Sequence, residues 1–208
     1  MLEKLASQLG RNDEIPNIEL AELLVNTKDN KGIKEIVAGL RDKNQALAND
    51  CIKVLYEIGE RNPALIKNYA DDFLALLTVK NNRLVWGGMT ALAAIADLAA
   101  DKIYAGIDKV LLVFHEGSVI AVDNSVTVLA KLCKANKEYE KRLFPLLLQH
   151  LGNCRAKEVA QHAERIAVSI NQDNVKDFLK VLSTRKEQLT LSQTARINKL
   201  ESKLSKLL

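Results

Sequence analysis

The most distinctive side chains in this sequence are Trp86 and Arg83, which lie three residues apart in the segment NNRLVWGGMT. Trp86 is the only tryptophan among 208 residues. A large, rigid ring beside a guanidinium group is the kind of pair that dominates binding energy at protein interfaces. Two interpretations follow: Trp86 is an exposed anchor for a partner, or it packs on a neighbouring helix that Gly87 and Gly88 allow to approach.

A second group with possible chemistry consists of His150, Cys154 and His162, because imidazole and thiolate groups are common zinc ligands. Their spacing differs from that of known zinc motifs. Gly152 and Asn153 are expected to break the helix between His150 and Cys154. We therefore predict no metal site and no cofactor, and we interpret His162 as a partly buried core histidine.

No catalytic motif accompanies these residues. The sequence has no Cys/His or Ser/His/Asp signature, no Walker motif and no dinucleotide fingerprint. The adjacent carboxylates of Asp71 and Asp72 are more typical of a solvated helix face than of a general acid and base. We expect a protein without enzymatic activity.

The elements that position these side chains follow from a period of 37 residues, which contains two apolar blocks. Two blocks per period predict two helices per repeat, and such helix pairs bury their apolar faces only by stacking. We predict an all-α, right-handed superhelical α-solenoid of antiparallel helix pairs. The clearest columns are Ile36, Phe73, Val110 and Leu147 in the first helices and Leu55, Leu92, Leu129 and Ile166 in the second helices.

Twelve helices are expected from this pattern, and Gly117 and Gly152 are expected to terminate two of them. Asn62 before Pro63 looks like an N-cap followed by proline at the first helical position, and Pro16 is expected to act in the same way. The predicted ranges are 2–10, 17–27, 31–41, 44–61, 63–79, 82–99, 102–116, 119–136, 138–151, 155–171, 173–187 and 191–207.

The repeat columns resemble those of the HEAT-repeat family, which is related to armadillo repeats. Pro145 with Leu147 and Leu151 is similar to the first part of the family pattern, and Leu92 with Ile95 is similar to its pair of leucines. The family's Asp and Arg columns are not kept here, so armadillo-like relatives stay open as well. The resemblance implies a scaffold that binds proteins.

Helical geometry predicts which side chains of the second helices point away from the core. If Leu55 and Ile58 are buried, positions 49, 53, 56 and 60 lie on the opposite side. In HEAT-like arrays that side lines the concave surface. We therefore expect a non-enzymatic interaction scaffold or adaptor that binds a partner on its concave face. The candidate contacts are Trp86, Arg83, Tyr56, Lys53 and Asp123.

An alternative comes from the same residues, because some alkylpurine DNA glycosylases are built from HEAT-like repeats and use Trp, Asp and Arg on a concave surface. Trp86, Asp123 and Arg83 are superficially similar. However, Thr90 rather than a carboxylate follows Trp86 by one turn, and the concave columns are not enriched in Lys or Arg. A nucleic-acid-binding relative of these glycosylases is therefore the second hypothesis, and nucleic acid is the less favoured partner.

Composition and charge agree with one helical domain over residues 1–208, since 48% of positions are hydrophobic and only 3 are proline. We divide it into a truncated N-terminal cap (1–30), four regular repeats (31–171) and an atypical basic C-terminal repeat (172–208). The last segment holds 8 basic and 4 acidic side chains, which leaves 22 of each in residues 1–171. That neutral body lacks the basic stripe of a nucleic-acid-binding protein.

Three cysteines, an odd number without a pairing pattern, are typical of reduced thiols in a cytosolic protein. No export signal and no membrane span is visible. We predict a cytoplasmic protein with a protein partner. The oligomeric state and the identity of the partner stay open at this stage.

Overall fold

The computed structural model describes residues 1–208, which form twelve α-helices, short 3₁₀ turns and no β strand. This confirms the prediction of an all-α chain. None of the helices combines the length and the hydropathy that a bilayer crossing requires. The helices are α1 (Ile15–Thr27), α2 (Asn30–Gly39), α3 (Gln45–Arg61), α4 (Ala70–Leu76), α5 (Asn82–Ile95), α6 (Ala100–Ala105), α7 (Ile107–Glu116), α8 (Val119–Ala135), α9 (Lys137–Asn153), α10 (Ala156–Ile166), α11 (Val175–Arg185) and α12 (Leu191–Leu204).

The chain divides into two compact units, residues 1–125 and residues 126–208. In the first unit, α3 packs against α1, α2 and α5, and α4 packs against α5 and α6. In the second unit, α9 packs against α10 and α11, and α12 packs against the same two helices. The single solenoid domain over residues 1–208, with its cap and its four regular repeats, stays a prediction.

The apolar columns of the 37-residue period form the core of both units. All eight residues of the two columns are fully buried, with no exposed surface. Because each helix pair repeats the same two apolar blocks, each pair presents the same kind of face to its neighbours. The period therefore accounts for which side chains are inside.

Two adjacent glycines let α5 approach its neighbours closely. A Cβ atom placed on Gly87 would lie 2.6 Å from Cγ1 of Ile52, which is shorter than real side-chain contacts allow. A Cβ atom on Gly88 would lie 3.2 Å from the backbone oxygen of Phe73. These contacts agree with the packing interpretation of the glycine pair and hold Trp86, the preceding residue, near α3.

The first predicted helix, at 2–10, is wrong. Only Leu2–Lys4 forms a 3₁₀ turn there, and turns follow. Side chains from later helices bind the backbone of this segment: the Ala6 N–H donates to Asn17 Oδ1 at 3.0 Å, and the Ser7 N–H donates to Asp50 Oδ2 at 2.8 Å. Because these backbone N–H groups already donate to side-chain oxygens, the segment does not need helical hydrogen bonds to satisfy them.

Two other predicted helices are interrupted. Pro63 begins a 3₁₀ turn after Asn62, whose side chain makes no capping hydrogen bond, and α4 starts only at Ala70. Gly106 divides the helix predicted at 102–116 into α6 and α7, and a Cβ atom there would lie 2.7 Å from Cδ1 of Leu74. A side chain at this junction would therefore collide with a buried leucine.

The helix ends predicted at Pro16, Gly117 and Gly152 have different outcomes. Pro16 lies in the first turn of α1 but at its second residue, after Ile15, and Glu14 makes no side-chain capping hydrogen bond. The N–H of Gly117 closes α7 by donating to the Val113 oxygen, which confirms that prediction. Gly152 does not end its helix, because α9 continues to Asn153. A single glycine weakens a helix by about 1 kcal/mol and does not break it.

Candidate functional site

The five predicted contact residues all belong to the first compact unit. Lys53 and Tyr56 lie on α3, Arg83 and Trp86 lie on α5, and Asp123 lies on α8. Arg83, Trp86 and Asp123 are partly exposed. Lys53 and Tyr56 are each only 7% exposed, more buried than side chains on an open binding surface. The reason lies in their neighbours, which cover them.

An aromatic contact joins α3 to α5. The rings of Tyr56 and Trp86 are tilted by 46°, with centroids 5.6 Å apart. The guanidinium carbon of Arg83 lies 6.0 Å from the Trp86 ring, and Nζ of Lys53 lies 4.9 Å from the Tyr56 ring. Both distances are in the range of a cation–π interaction. Trp86 is therefore packed on one side and partly exposed on the other.

Glu14, which the sequence did not single out, connects these cations. It precedes α1, and its carboxylate lies 3.0 Å from Lys53 Nζ. The same carboxylate forms an ion pair with Arg83. We call Glu14, Lys53, Tyr56, Arg83 and Trp86 the Trp86 cluster. Glu14 lies outside the repeat columns, so the periodicity gave no signal for it.

The ionic network extends along α3 through Glu57. Lys53 Nζ donates to Glu57 at 2.6 Å, and Arg61 pairs with the same carboxylate and with Glu22 at 3.2 Å. Burial raises the pKa of Glu57, but hydrogen bonds from Lys53 and Arg61 lower it more, so its pKa lies below the ordinary value. Burial lowers the pKa of Lys53, and hydrogen bonds to Glu57 and Glu14 raise it more. Both groups are thus charged at neutral pH.

A polar cleft of about 440 Å³ lies beside the Trp86 cluster in the first unit. Arg83, Glu14, Asn49 and Asp50 line one part of it, and residues of the N-terminal segment line the rest. The Arg83 Nε–H is buried and has no hydrogen-bond acceptor. A buried donor without an acceptor is costly.

In the glycosylase hypothesis, a catalytic carboxylate would be expected one turn after Trp86, and this chain has Thr90 there. Thr90 follows Trp86 by one turn, and its hydroxyl donates to the Trp86 oxygen at 2.8 Å while accepting from Asn124 at 2.8 Å. The two fully buried thiols are poor nucleophiles, because burial raises the pKa of Cys51 and Cys133 to about 12.

One group of possible metal ligands is brought together, and it lies in the second compact unit. One donor atom from each of His150, Cys154 and His162 lies within 4.8 Å of the others. Our expectation of no site rested on the spacing of these residues and on a helix break at Gly152 and Asn153, and the second reason is tested by the structure. That reason is wrong, since α9 runs through both residues.

Neither a protein-family model nor a curated protein sequence matches this chain. Solved structures do match. An engineered protein shares 18% identity with a TM-score of 0.64, over 97% of this chain and 93% of that chain. A designed armadillo repeat protein in complex with the peptide (KR)4 shares 14% identity with a TM-score of 0.63, over 96% of this chain and 99% of that one.

The karyopherin Kap121p bound to the SUMO protease Ulp1p shares 14% identity with a TM-score of 0.68, over 99% of this chain and 23% of the karyopherin. At these identities the likeness is one of fold. It confirms the HEAT/armadillo-like α-solenoid fold that the repeat columns predict.

Proposed function

We propose that this HEAT/armadillo-like chain is a non-enzymatic scaffold that binds a protein partner at the Trp86 cluster, on the concave face of the solenoid. The observation that carries the proposal is the position of Trp86. Its ring packs against Tyr56, lies near the Arg83 guanidinium and remains partly exposed, and two other members of the cluster, Glu14 and Arg83, line the polar cleft. A preorganised aromatic side chain loses little conformational entropy on binding, which makes it an efficient anchor.

Arg83 gives the partner a second point of recognition. Its Nη2 is paired with Glu14, whereas its Nε–H lacks an acceptor. The Arg83 side chain as a whole is partly exposed, and we expect an oxygen of the partner to contact its exposed edge. Asp123 on α8 is a further proposed contact, as predicted from its column, and Lys53 supports the cluster from beneath because it is buried.

Two of the matching structures support the general class of function. One is a designed armadillo repeat protein solved with a peptide, and the other is a karyopherin solved with a protease. In both, a repeat protein of this fold is in complex with a polypeptide. The transfer of that role to this chain is part of our proposal, as is a cytoplasmic location.

The first experiment compares affinity capture by the intact chain, by Trp86→Ala and by a matched control, Tyr69→Ala. Tyr69 is a half-buried tyrosine of the first unit that does not belong to the Trp86 cluster. A protein captured by the intact chain and by Tyr69→Ala, and lost with Trp86→Ala, is then purified and titrated. We expect Trp86→Ala to cost about 2 kcal/mol or more, which is roughly 30-fold in Kd.

Circular dichroism first establishes that the three proteins are equally folded. Retention of every partner by Trp86→Ala would contradict the proposed site. A titration with duplex DNA at two salt concentrations separates the alternative: salt-sensitive binding that depends on Trp86 would favour nucleic acid over protein as the partner.

A further inference from the structure

Three side chains with metal-binding chemistry meet in the second compact unit, where no proposed function uses them. His150 lies in the last turn of α9, Cys154 follows that helix, and His162 lies on α10. His150 Nε2 and His162 Nδ1 are 2.9 Å apart, and their rings are tilted by 39° with centroids 4.8 Å apart. The Cys154 sulfur completes a triangle of donors, all within 4.8 Å of one another.

Local helix geometry explains this convergence. Because α9 continues to Asn153, the Cys154 N–H donates to the His150 oxygen at 2.7 Å and Cys154 lies one turn beyond His150. The chain then turns at Arg155, and α10 starts at Ala156 and packs against α9. His162 lies on the buried face of α10 and has no exposed surface, so it points into the core beside His150.

Arg185 fixes the backbone that carries the sulfur. Its guanidinium donates to the Leu151 oxygen at 3.0 Å and to the Cys154 oxygen at 2.6 Å. Arg185 is itself buried, with only 6% of its surface exposed. Hydrogen bonds of this kind around a ligand set hold the ligands in place and contribute to metal affinity.

The donor set selects the class of ion. Two imidazoles and one thiol are borderline or soft ligands, which suit zinc and exclude magnesium and calcium, since those ions require oxygen. Zinc at about 2.0–2.1 Å from nitrogen and about 2.3 Å from sulfur needs nitrogen atoms roughly 3.3 Å apart and a nitrogen–sulfur separation of roughly 3.6 Å. The two nitrogens would move apart slightly, and the sulfur would move inward by roughly 1.2 Å at most, a displacement within the range of side-chain rotation.

We propose that His150, Cys154 and His162 form a zinc site with three protein ligands and a fourth position for water or an external donor. His150 and Cys154 are partly exposed and give the ion a path in, whereas His162 is buried and forms the floor of the site. Burial raises the pKa of the Cys154 thiol, and the charge of Arg185 opposes that rise. Zinc binding ionises the thiol and releases its proton to solvent.

Zinc titration of the metal-stripped full chain under reducing conditions tests this site. We expect one equivalent of zinc to bind in a calorimetric titration. Cys154→Ser and His150→Gln are each expected to weaken binding by about tenfold or more. The matched controls are Cys133→Ser and His115→Gln, which change the same residue types elsewhere and should bind as the intact chain does.

Cobalt binding gives a second, spectroscopic measurement, which reports whether the Cys154 sulfur is bonded to the metal and not merely whether Cys154 is needed for folding. A thiolate-to-cobalt charge-transfer band is expected for the intact chain and for His115→Gln, and it should be absent for Cys154→Ser. Circular dichroism of each variant establishes that the fold is kept. The proposal is overturned if the intact chain binds no zinc, or if Cys154→Ser and His150→Gln bind it as tightly as the intact chain.

Discussion

The two compact units share one kind of apolar core and differ in the polar groups that they bury. In residues 1–125, the buried charges Lys53 and Glu57 belong to an ionic network that Glu14 and Arg61 extend. In residues 126–208, the buried carboxylate of Glu140 accepts hydrogen bonds mainly from amide groups. The apolar columns repeat because each helix pair buries the same face, whereas the buried polar residues do not have to be the same in each pair.

The amide-rich cluster of the second unit surrounds Glu140 on α9. Asn174 Nδ2 donates to it at 3.0 Å, Asn171 Nδ2 donates at 3.2 Å, and Lys137 lies 3.2 Å away with a half-exposed side chain. The one cation of this cluster is therefore close to solvent, whereas Lys53 in the first unit is buried. The two units thus stabilise a buried carboxylate in different ways, and that difference makes them separable by mutation.

The largest effect is expected from Glu57→Ala in the first unit. This change removes one carboxylate that accepts hydrogen bonds from both Lys53 and Arg61, which keep Glu14 and Glu22 as their other partners. The loss of two hydrogen bonds between charged groups should lower the free energy of unfolding by about 3 kcal/mol. Denaturant unfolding of the full chain measures the loss. Glu60→Ala, an exposed glutamate on the same helix, is the matched control and should change stability by less than about 0.5 kcal/mol.

A smaller loss is expected from Glu140→Ala in the second unit. The change leaves the amides of Asn171 and Asn174 short of an acceptor and should cost about 2 kcal/mol. Glu138→Ala, on the exposed side of the same helix, is the control for the loss of charge. If Glu140→Ala proved more costly than Glu57→Ala, the contrast between an ionic and an amide-rich interior would be wrong.

The smallest effect concerns the acid limb of the stability curve. The pKa of Glu57 is lower in the folded chain than its ordinary value, because the hydrogen bonds from Lys53 and Arg61 outweigh its burial. The stabilisation from Glu57 is therefore complete above its unfolded pKa of about 4.3 and is lost as the pH falls through the folded pKa. We expect the stability of Glu57→Gln to fall less steeply over that acidic range.

Thermal unfolding at a series of pH values checks this difference in slope. Glu60→Gln supplies the comparison, because Glu60 is exposed on the same helix. Equal slopes for Glu57→Gln and the intact chain would show that Glu57 does not contribute to acid sensitivity.

The apolar pattern predicted the fold because burial repeats with the helical period. Leu55 and Ile166 are fully buried, as their column requires. The breaks were less predictable. Gly106 interrupts a helix at a position where a Cβ atom would lie 2.7 Å from Cδ1 of Leu74, and that closeness depends on packing rather than on local sequence. The N-terminal segment likewise depends on Asn17, a side chain from a later helix.

The candidate sites were predictable in part. Trp86 and Arg83 were found because their types stand out and their spacing places them on one helix face. Glu14 was missed because it lies outside the periodic columns, although it binds both cations of the Trp86 cluster. The contact between His150 and His162 depends on how α10 packs on α9, which the sequence does not specify. Gly152, between His150 and Cys154, led us to predict a helix end where α9 in fact continues.

The ion pair between Arg83 and Glu14 joins residues 69 positions apart. By comparison, the hydrogen bond between Asn124 and Thr90 spans 34 positions, about one repeat. In a solenoid, each repeat contacts only the repeats next to it in sequence, so direct interactions normally connect adjacent repeats only. Here Glu14, which directly precedes α1, pairs with Lys53 on α3 and with Arg83 on α5, so one carboxylate links three helices. A change at Glu14 therefore removes an acidic partner from a cation on α3 and from one on the helix that carries Trp86 at the same time.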